Sequence, residues 1–291
     1  MDEKQPLGQP INDKPGDAQY VPQPLGGSSS APKSNKTLWM IIAGAVGLLL
    51  LFGVAYWFMS KNAAEDYKTD AAAYKQAILT ERDALNAELD DNNIGASSPE
   101  AKSVFEEHGK KLQEIAANAP ETPKVMGLPV AVDQAQKEEI EQLTKATNDY
   151  ANALLSDVAI YNYYIAVTEA FEPIKNLGTI TVMNRDKIMS FGTLWPEFLA
   201  TFKTITPPAE LQAMHTDLIA QGTAIDEKTK PLVANFDANT ETANDLLLGE
   251  LTPLTKEFNT TFVDGITTAS KASYEAVNDT YDKLDEALTQ A

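Results

Sequence analysis

The stretch LWMIIAGAVGLLLLFGVAYWFM, residues 38–59, separates two unlike parts of the chain. It has no charged residue, and the nearest ones on either side are Lys36 and Lys61. At about 1.5 Å of rise per residue, a helix of this length covers about 33 Å, enough to cross a hydrocarbon core of about 30 Å. Trp39 at one end, with Tyr56 and Trp57 at the other, are amphipathic rings of the kind that favour the headgroup level. The stretch predicts a single transmembrane helix with these three residues as interface anchors. A buried core helix is the alternative, but such helices are usually shorter and keep one polar face.

The sequence around this stretch indicates an uncleaved signal anchor. A cleavable signal peptide begins with a short basic region and has a shorter apolar run, whereas here 37 mostly polar residues come first. The lysines that flank the two ends are nearly balanced, so they do not decide the orientation. We expect a single-pass protein of the cell membrane with residues 1–37 in the cytoplasm and residues 60–291 outside, because a short neutral tail and a large acidic domain fit export.

The two parts differ in composition and charge. Residues 1–37 contain six Pro and four Gly and carry no net charge, so they are predicted to be disordered. From residue 62 onward the chain carries 18 basic and 38 acidic residues, a net charge of -20. This field repels nucleic acid, so we expect no nucleic-acid partner, and solubility is its simplest explanation. The chain has no cysteine, which excludes disulfides and thiolate sites.

Helix signals dominate the acidic part. A helix is predicted from residue 63 to about residue 89, and Ser98 followed by Pro99 is typical of the start of the next one. Asp133 is expected to cap a long helix that ends before Pro173, because the residue before proline disfavours helical geometry. Three further helices are predicted: one from residue 194 to 205, one that follows the start signal at Thr206, and one that runs to the end of the chain. The fold class is therefore all-α: one N-terminal transmembrane helix, then an elongated bundle of five to seven helices.

Two segments are candidates for a partner-binding surface. Residues 118–132 contain three Pro and one Gly and predict a long loop that carries Met126 and Leu128. Tyr161, Tyr163 and Tyr164 fall within one helical turn, so they point in more than one direction and at least one is expected to line a groove. Ordinary core packing is the alternative interpretation for these tyrosines.

The search for chemical motifs indicates no enzyme, no cofactor and no metal. His108 and His215 each lack a second ligand at a spacing of three or four residues, so both are interpreted as exposed or half-buried histidines. No glycine-rich phosphate loop and no complete calcium loop occur. Ala43 and Gly47 form a small-xxx-small pair through which two membrane helices could dimerise.

The predicted function is a structural or protein-interaction role at the cell envelope. The alternative is an ectodomain that acts through a partner after it senses a ligand or binds a small molecule or a cation. A catalytic role is the least favoured hypothesis, because no poised constellation of acid, base and nucleophile is found.

Overall fold

The computed structural model describes residues 36–91, 98–181, 184–236 and 240–290, and for residues 36–46 the backbone alone. Nearly all of these residues are helical, which confirms the all-α class. The helices are α1 (Lys36–Asp91), α2 (Pro99–Ala117), α3 (Gln134–Lys175), α4 (Arg185–Phe202), α5 (Gln212–Asn235), α6 (Thr240–Asn244) and α7 (Thr252–Gln290). A 3-10 turn at Ala209–Leu211 precedes α5, and a π-helical segment at Asp245–Leu251 leads into α7.

The long loop contains a short antiparallel hairpin that the sequence does not predict. Its strands are β1 (Lys124–Val125) and β2 (Leu128–Pro129). Met126 and Gly127 turn the chain between them with φ angles of 52° and 80°. Positive φ at both central residues is the geometry of the tightest hairpin turn, and glycine adopts it readily.

Helix α1 begins two residues before the predicted span and continues without a break to Asp91. The predicted disordered tail falls mostly outside the described residues. Trp39 and Ala43 belong to the part of α1 whose side chains are not described. Among the described residues, no helix is both long enough and apolar enough to cross a membrane. The large apolar side chains between Leu48 and Met59 that the structure places are 48–71% exposed.

Local capping signals in the sequence are confirmed. The Ser98 hydroxyl accepts a hydrogen bond from the Ala101 amide at 3.1 Å, and the Asp133 carboxylate accepts one from the Ala135 amide at 2.9 Å. Each side chain satisfies an amide that has no partner within its helix.

Three predicted helix boundaries are wrong. Helix α3 passes Pro173 and ends at Lys175, because a proline in the last turn removes only one backbone hydrogen bond. Helix α4 begins at Arg185, nine residues before the predicted start. The helix expected after Thr206 begins with the 3-10 turn at Ala209, since Pro207 and Pro208 stay outside it.

The chain forms two units, one of which ends at Gly53 while the other covers Val54–Ala291. The second unit contains two hydrophobic cores. The first core lies between α1, α2, the first half of α3 and the end of α7, and its most buried side chains are Ile78, Leu85, Leu112, Leu143, Leu154 and Leu284. The second lies between the rest of α3, α4, α5 and the start of α7, around Trp195, Phe202, Leu211, Leu218, Ile225 and Leu232. Helices α3 and α7 therefore pass through both cores.

Candidate functional site

A cleft of about 720 Å³ opens where α1, α2, α3 and α7 meet. We call it the tyrosine cleft, because five tyrosines line it: Tyr150, Tyr161, Tyr164, Tyr274 and Tyr281. The amides of Asn86 and Asn278 and the hydroxyl of Ser270 lie among the rings. Its volume falls within the range of about 300–1,000 Å³ that binding pockets occupy.

Contacts between helices hold three of the five tyrosine rings in place. Tyr150 and Tyr281 meet edge to face with centroids 5.6 Å apart, and the Asn86 side-chain amide donates a hydrogen bond to the Tyr281 hydroxyl at 2.9 Å. Burial raises the pKa of Tyr150, so its hydroxyl stays protonated. Tyr164, 39% exposed, stacks on Phe262 with centroids 6.2 Å apart. The rings of Tyr150, Tyr164 and Tyr281 and the hydroxyl of Tyr281 are therefore oriented by contacts with neighbouring side chains.

An ion pair between Lys102 of α2 and Asp157 of α3 forms part of the cleft wall. The two side chains are only 11% and 10% exposed. The Lys102 ammonium also lies 5.4 Å from the centroid of the Phe105 ring, within the range of a cation–π contact. Since a buried ion pair gains little over apolar packing, its presence is weak evidence for stability. It does place one cation and one anion at fixed positions beside the aromatic rings.

The three tyrosines of the predicted surface point to two places. Tyr161 and Tyr164 line the cleft, as expected for at least one of them. Tyr163 is 3% exposed and faces the second core, where its hydroxyl lies 2.9 Å from Nδ1 of His215. The alternative of core packing therefore holds for Tyr163.

The other two residues of the predicted surface, Met126 and Leu128, lie far from the cleft. The hairpin that carries them is joined to α1 by the Tyr56 hydroxyl, which donates a hydrogen bond to the carbonyl of Pro129 at 3.2 Å. Along α1, Tyr56 is about 45 Å from the cleft residue Asn86 at the rise of a regular helix. Met126 and Leu128 therefore lie on a different surface from Tyr161 and Tyr164, and Tyr163 lies in the second core.

Both histidines are buried, contrary to the sequence interpretation. His108 is 2% exposed, and its Nδ1 and Nε2 lie 2.6 Å and 3.1 Å from carboxylate oxygens of Glu81 and Glu88. Each ring nitrogen of His108 therefore lies within hydrogen-bond distance of one carboxylate. His215 is 4% exposed and packs 4.4 Å from Phe202, and burial lowers its pKa.

Within the described ranges, no group of three His, Asp or Glu side chains is placed to hold a metal ion. At His108, one imidazole lies between two carboxylates of the neighbouring helix α1. The sequence gives no signal for it, because Glu81 and Glu88 lie on α1 and meet His108 only when α2 folds back.

A second cavity of about 630 Å³ lies next to the tyrosine cleft, and Tyr164 lines both. We call it the apolar cavity, since Phe171, Trp195, Phe198, Phe258 and Phe262 line it. Leu247 and Leu251 of the π-helical segment close one side. Segments with π-helical geometry occur often at functional sites.

No protein-family model matches the sequence, and neither the curated proteins nor the solved structures gave a match.

Proposed function

We propose that this is a membrane-anchored interaction protein of the cell envelope, and that the tyrosine cleft is where it binds a protein partner. The observation that carries the proposal is the composition of the cleft: five tyrosines with two asparagines and one serine around a fixed ion pair. Tyrosine supplies a large amphipathic contact area at low entropic cost, and serine and asparagine supply adaptable hydrogen bonds. Tyrosine is also enriched among the residues that dominate binding energy.

A photo-crosslinking experiment tests this role in intact cells. A photoreactive phenylalanine replaces Tyr274, which is 55% exposed in the cleft, or Thr216, which is exposed on α5 outside it. We expect a defined protein adduct from position 274 and none from position 216. The Tyr161→Ala change in the same chain should reduce that adduct, because it removes a neighbouring ring. Identical adducts at both positions would contradict the proposal.

The membrane anchor is proposed from residues 38–59 of the sequence. The run of large apolar side chains from Leu48 to Met59, exposed in the isolated chain, supports it, because water is a poor solvent for such a surface. Protease treatment of intact cells should cut residues 60–291 and spare the tail. Cleavage of the tail alone would reverse the orientation, and release of the chain by alkaline carbonate would refute integral anchoring. The dimer through Ala43 and Gly47 stays a prediction.

Binding of a small apolar molecule is the second candidate function, and the apolar cavity favours it. Trp195 lines that cavity and is 1% exposed, so a ligand there would change its fluorescence. In a chain with Trp39 and Trp57 replaced by Phe, an apolar ligand should shift the Trp195 emission and raise the melting temperature with its concentration. A broad set of apolar compounds without either effect would remove this candidate.

A further inference from the structure

The tip of the hairpin is apolar, exposed and firmly held. Val125 and Val130 are 6% and 5% exposed, whereas Met126 and Leu128 are 58% and 57% exposed. The Val130 amide donates a hydrogen bond to the Pro123 carbonyl at 2.9 Å, which closes the base of the hairpin. Two buried valines thus fix the hairpin while two large apolar side chains project from it.

The sequence of the tip is free of charge. From Lys124 to Asp133 the chain reads KVMGLPVAVD, so eight consecutive uncharged residues lie between the two charged ones. Lys124 itself is exposed at the base of the hairpin. A lysine in that place can keep its ammonium in water while its stem lies along an apolar surface. In a unit with a strong acidic excess, this segment is an exception.

The hairpin also lies beside the exposed apolar part of α1. Tyr56 donates its hydroxyl to the Pro129 carbonyl, and Val54, Trp57 and Phe58 around it are 65%, 63% and 60% exposed. Tyr56 and Trp57 are the residues whose rings favour the headgroup level. The hydrogen bond therefore holds the hairpin at the depth where the predicted span leaves the bilayer.

We propose that the hairpin tip is a second membrane contact, in which Met126 and Leu128 enter the boundary between lipid headgroups and acyl chains. The inference rests on the proposed anchor, since residues 38–59 would place the hairpin at the membrane surface. The strength with which such side chains bind a membrane increases with the apolar area that they remove from water. Because the tip is uncharged, its insertion needs no anionic lipid.

The absence of cysteine from the chain makes single-site labelling clean. The full chain is reconstituted in phosphatidylcholine vesicles with an environment-sensitive fluorophore on one introduced cysteine: Leu49→Cys in the predicted span, Leu128→Cys at the tip, or Leu248→Cys as the control. Leu248 is an equally exposed apolar residue, at 59%, in the π-helical segment. We expect the first two labels to shift to the blue, to be quenched by spin-labelled lipid and to resist aqueous iodide. The Leu248 label should be open to iodide.

The outcomes separate this contact from the anchor. If the tip label behaves like the control while the span label stays protected, the anchor holds and the tip contact is wrong. If all three labels are open to iodide, the anchor fails and the contact with it. Protection of the tip label in cells but not in vesicles would assign the tip to a protein partner and overturn the lipid contact.

A second variant tests the hydrogen bond that positions the hairpin. Tyr56→Phe removes the hydroxyl and keeps the ring, so it should increase iodide quenching of the tip label and leave the span label unchanged. Thr69→Val, which removes an exposed hydroxyl from the same helix, is the matched control and should alter neither label. Equal quenching of the tip label in the Tyr56→Phe and Thr69→Val chains would show that the bond does not set the depth.

Discussion

The buried ion pair in the tyrosine cleft gives the most direct test of the packing described above. The change Asp157→Asn keeps the shape of the side chain but removes the carboxylate that faces Lys102. Because the two side chains are only 11% and 10% exposed, water cannot replace that carboxylate fully. Breaking a buried pair by removing one partner costs about 3–5 kcal/mol. For a unit of this size, that loss corresponds to a fall in melting temperature of about 6–20 °C.

The assay is thermal unfolding of the full chain in detergent, followed by circular dichroism. The matched control is Asp149→Asn, which removes an exposed partner of Lys145; the two side chains there are 78% and 42% exposed and 2.6 Å apart. Exposed pairs contribute little, so this change should leave the melting temperature unchanged. The double variant Lys102→Met with Asp157→Leu should recover most of the loss, because apolar side chains of similar volume need no hydration. A loss no larger for Asp157→Asn than for Asp149→Asn would refute the reasoning.

Three further predictions concern pH and helix packing. Burial lowers the pKa of His215 below its ordinary value of 6.5, so the unfolded chain binds this proton more readily than the folded one. The free energy of unfolding should therefore fall as the pH drops below about 6.5 and level off below the pKa of the folded state. Urea unfolding midpoints measured above and below pH 6.5 should differ less in the His215→Gln chain than in the unchanged chain. An equal difference in the two chains would contradict this prediction. A Cβ at Gly192 would lie 2.6 Å from Cγ2 of Val233, so Gly192→Ala should cost about 1–3 kcal/mol in urea unfolding. The control Gly249→Ala should cost nothing, because a Cβ there meets no atom within 4 Å. A second change, Val233→Ala, should restore the stability of the Gly192→Ala chain. Equal losses for Gly192→Ala and Gly249→Ala would show that α4 and α5 are not in close contact. Replacing His108 by Leu should cost about 1–3 kcal/mol, because Glu81, 15% exposed, loses a hydrogen-bond partner. The pair His108→Leu with Glu81→Leu should melt above the single variant, and no recovery would argue against that bond.

The features predicted correctly from the sequence are those that depend on neighbours along the chain. Ser98 and Asp133 cap their helices because a cap needs only the next few amides. Pro173 misled the prediction of the end of α3, since packing of the second core holds one more turn in place. The rule for the residue before proline describes an isolated chain, and tertiary contacts overrode it here.

The candidate site was predictable only in part, for a similar reason. Tyr161 and Tyr164 could be selected because three clustered tyrosines cannot all face one core. Nothing in the sequence links Lys102 to Asp157, which are 55 residues apart and meet only because α2 packs along α3. The same holds for His108, whose partners on α1 precede it by 27 and 20 residues. Pairs of this kind are set by the crossing of helices, which periodicity does not encode.

The sharing of α3 and α7 between the two cores has a consequence for how this protein can be divided. Each of these helices contributes one half to each core, so no single cut in a loop yields two pieces that each keep a complete core. Limited proteolysis in the hairpin loop, for instance, would leave α1 and α2 in one fragment and α3 to α7 in the other. These fragments would stay associated, because α1 and α2 pack against α3 and α7 in the first core. The two cores are therefore not interchangeable modules: neither can be transplanted, deleted or duplicated without severing a helix that the other one needs.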